Sequence, residues 1–472
     1  MIEVDISGTE FSYDMKALAM VFYPEKECRV VEHPEVSTED GYSIKWQIDG
    51  KKWEKLFPNP YTKNQIKKEV YEYLKTKSGK ELPWGILTGI RPAKIPLRLM
   101  MQGQEEAAIW DILKEEYFCR DDKVKLAMDV AKKEFSLTQG MQHERCANVY
   151  IGIPFCPTIC AYCSFSSFPA GRYRDKMDAY LDALEKEMTQ CKEWLAGKQM
   201  VSVYVGGGTP TSLSEEQFER LMAMTEKYLP MEQSKEFTVE AGRPDSITEG
   251  KLRSMKTHGV TRISINPQSM KEHTLELLGR KHTVEEIREK FMLARTLGFD
   301  NINMDLIAGL PEETLEDFKE TLREVEALKP DSITVHTLVI KRASRLRKEQ
   351  LEQGGEMREE DACIEPMQKE AEQFCRVHGY EPYYMYRQKN KAHTTRNTNQ
   401  ENVAYAKPGK ECLYNIFIME ELQSILALGS GGSSKIVFPE ENRMERVENV
   451  KSVDDYIGRI DEMIRRKKES WR

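Results

Sequence analysis

The chain has 472 residues, enough for about three ordinary domains or for one α/β barrel with additions. Lys and Arg number 70 and Asp and Glu 78, a net charge of −8, with 31% charged and 40% hydrophobic residues. That balance excludes a largely disordered chain and removes the simplest electrostatic argument for nucleic-acid binding. The first residues, Met1 to Ser7, are acidic where a signal peptide is basic, and the longest apolar runs, such as Ala17 to Phe22, are too short for a bilayer. A cytoplasmic chain without a membrane span is expected.

Residues 1–140 read as an N-terminal α+β domain of unassigned role. Strand-like runs at Ile2 to Ile6, Cys28 to Glu32 and Tyr42 to Ile48 precede helix-like ones at Asn64 to Lys77 and Val124 to Glu134. The segment Pro83 to Pro92 reads as a buried loop. The pattern then changes. Six β-rich runs follow, at Asn148 to Ile153, Val201 to Val205, Glu236 to Glu240, Arg262 to Ile265, Asn301 to Ile307 and Asp331 to Leu338. Helical patterns separate them, the first with Asp175 as its N-cap, others at Glu285 to Leu297 and Glu312 to Leu328. Six such alternations predict a parallel α/β core over 141–345, a partial (βα)6 TIM-like barrel with functional groups at the C-terminal strand ends. Residues 346–472 read as a mostly α, substrate-side extension. It holds a charged helix (Arg347 to Arg376), an aromatic-basic stretch (Tyr383 to Arg396), a Gly/Ser turn (428–434) and a basic end, Arg465 to Lys468, expected to be solvated.

Ten cysteines are too sparse for a disulfide scaffold, but Cys156, Cys160 and Cys163 form a C-x3-C-x2-C cluster just after the first core strand. Three thiolates can wrap a compact metal centre from one loop. Structural zinc and an ordinary four-cysteine cluster each want one more ligand, so the alternatives are a zinc site completed from elsewhere or an iron–sulfur cluster with one open iron. A second feature, Gly206-Gly207-Gly208-Thr209-Pro210, ends the next strand, where glycines let the backbone approach a ligand closely.

Together, the Tyr150 to Cys163 and Gly206 to Thr211 motifs resemble the radical S-adenosylmethionine (radical SAM) superfamily, and within it the oxygen-independent coproporphyrinogen III oxidases; the tail, at Tyr383 to Asn390, Asn402 to Tyr405 and Tyr414 to Ile416, resembles the HemZ-type coproporphyrinogen dehydrogenases. The resemblance implies a 4Fe-4S cluster on Cys156, Cys160 and Cys163 whose open iron binds S-adenosylmethionine (SAM). It implies SAM contacts by Tyr150, Tyr162, Gly207, Gly208, Thr209 and Glu240, and by Gln268, Arg280, Asp305 and Val339 around a possible second SAM. The implied reaction is radical oxidative decarboxylation of coproporphyrinogen III propionates to vinyl groups, started by a 5′-deoxyadenosyl radical, in haem biosynthesis. It assigns no catalytic acid or base to the protein. An electron donor such as flavodoxin or ferredoxin is implied as partner. Cations for a tetrapyrrole's carboxylates are sought in Arg172, Arg387 and Lys389. Phe165 stands where the best-known oxidases carry a further cysteine, a feature shared with haem chaperones of the family. The chaperones' His-Asn and Tyr-Trp pattern is missing around Leu413 to Ile418. A haem chaperone and a radical SAM tetrapyrrole methyltransferase are the alternatives.

Overall fold

The computed structural model describes residues 1–35, 41–163, 167–338, 363–387, 401–438, 441 and 443–471. These fall into two compact units. The first takes the described residues of 1–136, 356–365 and 385–402, and the second those of 137–355, 366–384 and 403–472.

The first unit is built on a four-stranded sheet of order β2-β1-β3-β4, comprising β1 (Ile2–Ser7), β2 (Cys28–His33), β3 (Tyr42–Ile48) and β4 (Lys51–Phe57). β3 and β4 form a hairpin whose turn residues Asp49 and Gly50 both have positive φ, at 50° and 77°. An Asp-Gly pair is suited to that backbone. Helices Ser12–Phe22 and Lys63–Ser78 cover the sheet and bury Leu18, Phe22, Ile66, Val70 and Leu74 against Val4, Ile44 and Trp46. The second helix is framed by a capping box, Thr62 with Gln65, and ends at left-handed Gly79.

The second unit holds the parallel core: β5 (Cys146–Ile153), β8 (Gln199–Gly207), β9 (Glu236–Gly242), β10 (Arg262–Ile265), β11 (Ile302–Ala308) and β12 (Ser332–Thr337), neighbours in that order. Two short strands, β6 (Phe155–Cys156) and β7 (Phe168–Pro169), pair with each other beyond β5. The core is an open arc, a partial barrel. On the β5 side it continues through β15 (Ser424–Leu428), β16 (Ser433–Phe438) and β17 (Arg443–Glu448), and on the β12 side through β14 (Glu401–Ala406) and β13 (Glu381–Arg387). Among the described residues the C-terminal region, expected to be mostly α, is corrected to helices alternating with five strands that extend the core sheet.

Alternation along the core strands separates two faces. Val149, Ile151, Val203, Val205, Phe237, Val239, Ile263 and Ile265 are apolar and buried. The intervening positions are polar and bonded across strands. Ser202 donates to Asn148 Oδ1 at 2.6 Å, Ser332 to Asn303 Oδ1 at 3.0 Å and Arg262 Nη2 to Ser332 at 3.1 Å, while within β11 Asn303 Nδ2 donates to Asp305 at 2.7 Å. A polar face of this kind keeps its buried groups satisfied only by such networks.

Several local expectations are corrected. Helix Met177–Met188 begins after Lys176 with no side-chain cap, and Asp175 lies in a 3-10 turn before it. The charged helix is described as Ile364–Val377, and 347–362 lie outside the described residues. The basic end is not uniformly solvated. Lys467 lies four residues after buried Met463 on helix Ile460–Ser470, so both share one face. That face turns inward, and Lys467 Nζ meets Glu187 at 2.6 Å with both side chains fully buried. Among the described residues no helix is long and apolar enough to cross a membrane.

Candidate active site

The candidate site sits where β5 and β8 end. Beyond β5 the chain turns at Pro154, and Phe168 N–H donates back to Pro154 O at 2.8 Å, closing the cysteine loop at its base. Within the loop Cys163 N–H donates to Cys160 O at 3.0 Å, and Ala161 N–H to Leu278 O at 3.0 Å. Cys156 and Cys160 are buried and Cys163 is half-buried. Burial pushes the Cys156 thiol up to about 11, with opposing hydrogen bonds from Thr209 and Ser167. Among the described residues no three His, Cys, Asp or Glu side chains converge on one point as a single metal ion requires. A four-iron cluster gives each thiolate its own iron and so takes a wider triangle.

The glycine run lies directly against this loop. Gly208 N–H donates to Ile153 O at 2.8 Å and Thr209 N–H to Phe155 O at 2.7 Å. The amides of Gly208 and Thr209 therefore brace the cysteine loop rather than face a ligand. A Cβ on residue 208 would lie 2.5 Å from Phe155 O and 3.0 Å from Cys156 Sγ, and Gly207 has φ +119°. Both positions require glycine, one for close approach and one for backbone conformation.

Glu240 lies beside Gly206, where a Cβ would come within 2.9 Å of its carboxyl. Tyr204 O–H donates to Glu240 Oε1 at 2.6 Å. Burial, with the nearby Asp305 charge and against the Tyr204 bond, raises the Glu240 carboxyl to about 7. Tyr150, Tyr204 and Tyr414 form an aromatic stack: the centroids of Tyr150 and Tyr204 are 6.2 Å apart, and those of Tyr204 and Tyr414 are 4.6 Å apart.

Arg280 is buried and ties the next loop to the cysteines. It donates to Tyr162 OH at 3.2 Å and to Asn266 O at 2.5 Å. Gln268 has φ 70°, and its backbone joins β11 through Asp305 O and Ile307 N–H. Its side-chain Oε1 is buried without a hydrogen-bond partner among the described residues. Burial acts to raise the Asp305 carboxyl, but bonds from His336, Asn303 and Thr334 bring it below its ordinary value. Val339 and Lys389 lie outside the described residues.

The sought substrate cations are placed differently. Arg172 is exposed on helix Ala170–Tyr173. Arg387 is a correction. It is buried in the first unit, its N–H donates to Ile90 O at 2.7 Å, its guanidinium donates to Leu87 O, and it lies 5.6 Å from the Trp84 ring centre. Burial lowers its pKa to about 10 against the pull of Glu401. Arg387 holds the Pro83 to Pro92 loop, which is buried from Pro83 to Ile86 and more open from Leu87 to Arg91, and whose Trp84 also donates to Glu401 at 2.7 Å.

Sequence reasoning missed Tyr204 and Arg243. Tyr204 could have been found two positions before Gly206, on the same strand face. Arg243, between Gly242 and Pro244, is buried and reaches Thr158 and Cys160 on the cysteine loop.

Residues 150–325 match the radical SAM superfamily. Over 403 residues the chain is 39% identical to the oxygen-independent coproporphyrinogen-III oxidase-like protein HemZ of Bacillus subtilis, covering 84% of this chain and 79% of HemZ. The chain belongs to this family of radical SAM proteins. The superfamily uses a 4Fe-4S cluster and SAM. The chain is also 38% identical over 194 residues to the heme chaperone HemW of B. subtilis, covering 41% of this chain and 50% of HemW. In fold it is similar to the solved coproporphyrinogen III oxidase HemN of Escherichia coli, a radical SAM enzyme, with a TM-score of 0.53 and 24% identity over 70% of this chain and 72% of HemN.

Proposed function

We propose that the chain carries out oxygen-independent oxidative decarboxylation of coproporphyrinogen III, converting propionates to vinyl groups and forming protoporphyrinogen IX. The observation that carries this reading is the cysteine loop laid against the glycine run, in a chain similar to HemZ over 84% of its length.

The residues present fit the implied groups. Three thiols share one loop, Gly208 leaves room for the Cys156 sulfur, and the orphaned Gln268 oxygen lacks only a donor. Cys156, Cys160 and Cys163 would hold the cluster. Tyr150, Tyr162, Glu240 and the backbone of Gly207 and Gly208 would hold SAM, with Gln268, Arg280 and Asp305 beside a second molecule; the Thr209 carbonyl is taken by Ser212. When bound, the cluster and SAM supply the reducing electron and the abstraction of a hydrogen atom. Each propionate then loses that hydrogen atom, carbon dioxide and one electron, so an electron donor and an acceptor are both required.

The chain's own residues position and shield. Glu240, with Tyr204 fixing its Oε1 and burial raising its carboxyl to about 7, can accept or donate toward ligand hydroxyls. Arg280 fixes Tyr162. The Tyr150, Tyr204 and Tyr414 stack lines this region with aromatic surface, which helps keep water from a reactive species. Removal of a hydrogen atom from carbon needs no protein base. The reading divides the chain into 1–140 of unassigned role, a 141–345 core, and 346–472 contributing substrate selection.

A haem-chaperone reading is favoured by the 38% identity to HemW, which covers 41% of this chain. One anaerobic assay separates the two. Reconstituted protein with SAM, reductant and coproporphyrinogen III is expected to release carbon dioxide and form protoporphyrinogen IX. SAM cleavage with intact porphyrinogen, together with stoichiometric haem binding, would replace the oxidase reading with the chaperone one.

A further inference from the structure

β9 ends at Gly242, and Arg243 follows, held extended by Pro244 (φ −92°, ψ 131°). Arg243 is 4% exposed. One edge of its guanidinium grips Asp245 as a fork, Nε to Oδ1 at 3.0 Å and Nη2 to Oδ2 at 2.7 Å. The third nitrogen, Nη1, points the other way. It donates to Thr158 Oγ1 at 2.7 Å, to Thr158 O at 3.0 Å and toward Cys160 Sγ at 3.8 Å. Thr158 in turn donates to Gly279 O at 3.3 Å. The arginine therefore joins the end of β9 to the cysteine loop and, through Thr158, to the loop beyond β10.

Asp245 fixes the fork and is itself supported by His282, whose Nδ1 lies 3.8 Å away with its side chain fully buried. Burial acts to raise the Asp245 carboxyl, but the nearby His282 and the Arg243 fork hold it far below the carboxylate range. A guanidinium stays charged at every working pH. It is thus a permanent cation with an N–H directed at one cysteine sulfur.

We propose that Arg243 is a positioning residue that both staples the cysteine loop and makes a cluster bound there easier to reduce. Gaining an electron adds negative charge to the cluster and its thiolates. A fixed cation and a hydrogen bond to sulfur stabilise that reduced state more than the oxidised one, which raises the potential. The proposal rests on the cluster assignment to Cys156, Cys160 and Cys163 and is independent of the tetrapyrrole substrate.

The test is an anaerobic redox titration of the reconstituted full-length chain, followed by electron paramagnetic resonance of the reduced cluster. Arg243→Gln removes the charge and shortens the donor. Its reduced-to-oxidised ratio at the wild-type midpoint is expected to fall at least about tenfold, a downward shift of about 59 mV for one electron. Arg243→Lys keeps the charge but loses the fork, and its ratio is expected to fall about threefold. A loaded Arg243→Gln protein titrating with the wild type overturns the proposal. Should that variant not hold a cluster, the lysine variant decides: a fall in the ratio supports the proposal and an unchanged or higher ratio overturns it. A wild-type chain that assembles no cluster refutes the cluster assignment itself, and the proposal with it.

Discussion

Replacing Glu240 by Gln should change how stability depends on pH. The carboxyl titrates near 7 in the fold against an ordinary value of 4.5. Between those values the unfolded chain has lost a proton that the native chain retains, so rising pH stabilises the unfolded state. The sign is therefore a loss of wild-type stability from about pH 4.5 through pH 7 and a plateau above. The step from 4.5 to about 7 corresponds to roughly 3 kcal/mol, less what water reaching the accessible part of Glu240 returns. Glutamine mimics the protonated acid: its oxygen still accepts from Tyr204 O–H, which donates to Glu240 at 2.6 Å in the native chain. Urea unfolding of both proteins, followed by near-ultraviolet circular dichroism at pH 4.5 and pH 8, gives the comparison. The variant should gain on the wild type by about 2–3 kcal/mol across that interval. A stability difference that is the same at both pH values would refute the reasoning.

Three further outcomes follow from the packing. Gly208→Ala drives a methyl to 2.5 Å from Phe155 O, backbone that cannot swing aside; it should cost about 1–3 kcal/mol and sharply reduce iron loading, read by iron and sulfide content after reconstitution. Lys467→Met leaves the Glu187 carboxylate buried with Tyr456, Asn449 and the Gly429 amide but no cation; it should cost about 3–5 kcal/mol in urea unfolding, and adding Glu187→Gln should recover part of it. Arg387→Gln should destabilise the first unit, measured by thermal unfolding, while leaving the KM for a porphyrinogen unchanged, since its donors go to Leu87 and Ile90 carbonyls.

The parts of the site legible in the sequence are those carried by contiguous residues. The cysteine spacing and the glycine run announce themselves, and β-rich periodicity located all six core strands close to their observed ends. Arg243 was not legible because Cys160 and Thr158 lie 83 and 85 residues earlier and meet it only in the folded sheet. Arg387 and Lys467 show the opposite failure. A cation in an aromatic stretch or a basic run looks available, yet burial commits each to partners hundreds of residues away, at a |i−j| of 300 for Arg387 with Leu87 and 280 for Lys467 with Glu187. The β3–β4 hairpin is different again, since Asp49-Gly50 signals its turn, and β4 was missed because Lys51 to Lys55 are mostly charged.

The central claim is that Cys156, Cys160 and Cys163 hold a cluster that cleaves SAM. Anaerobic reconstitution of the wild type and of Cys160→Ala, with iron counting and measurement of methionine released from SAM under reductant, tests it most directly. About four irons per wild-type chain and steady methionine release are expected, with no release from the variant. Undiminished SAM cleavage by Cys160→Ala would contradict it.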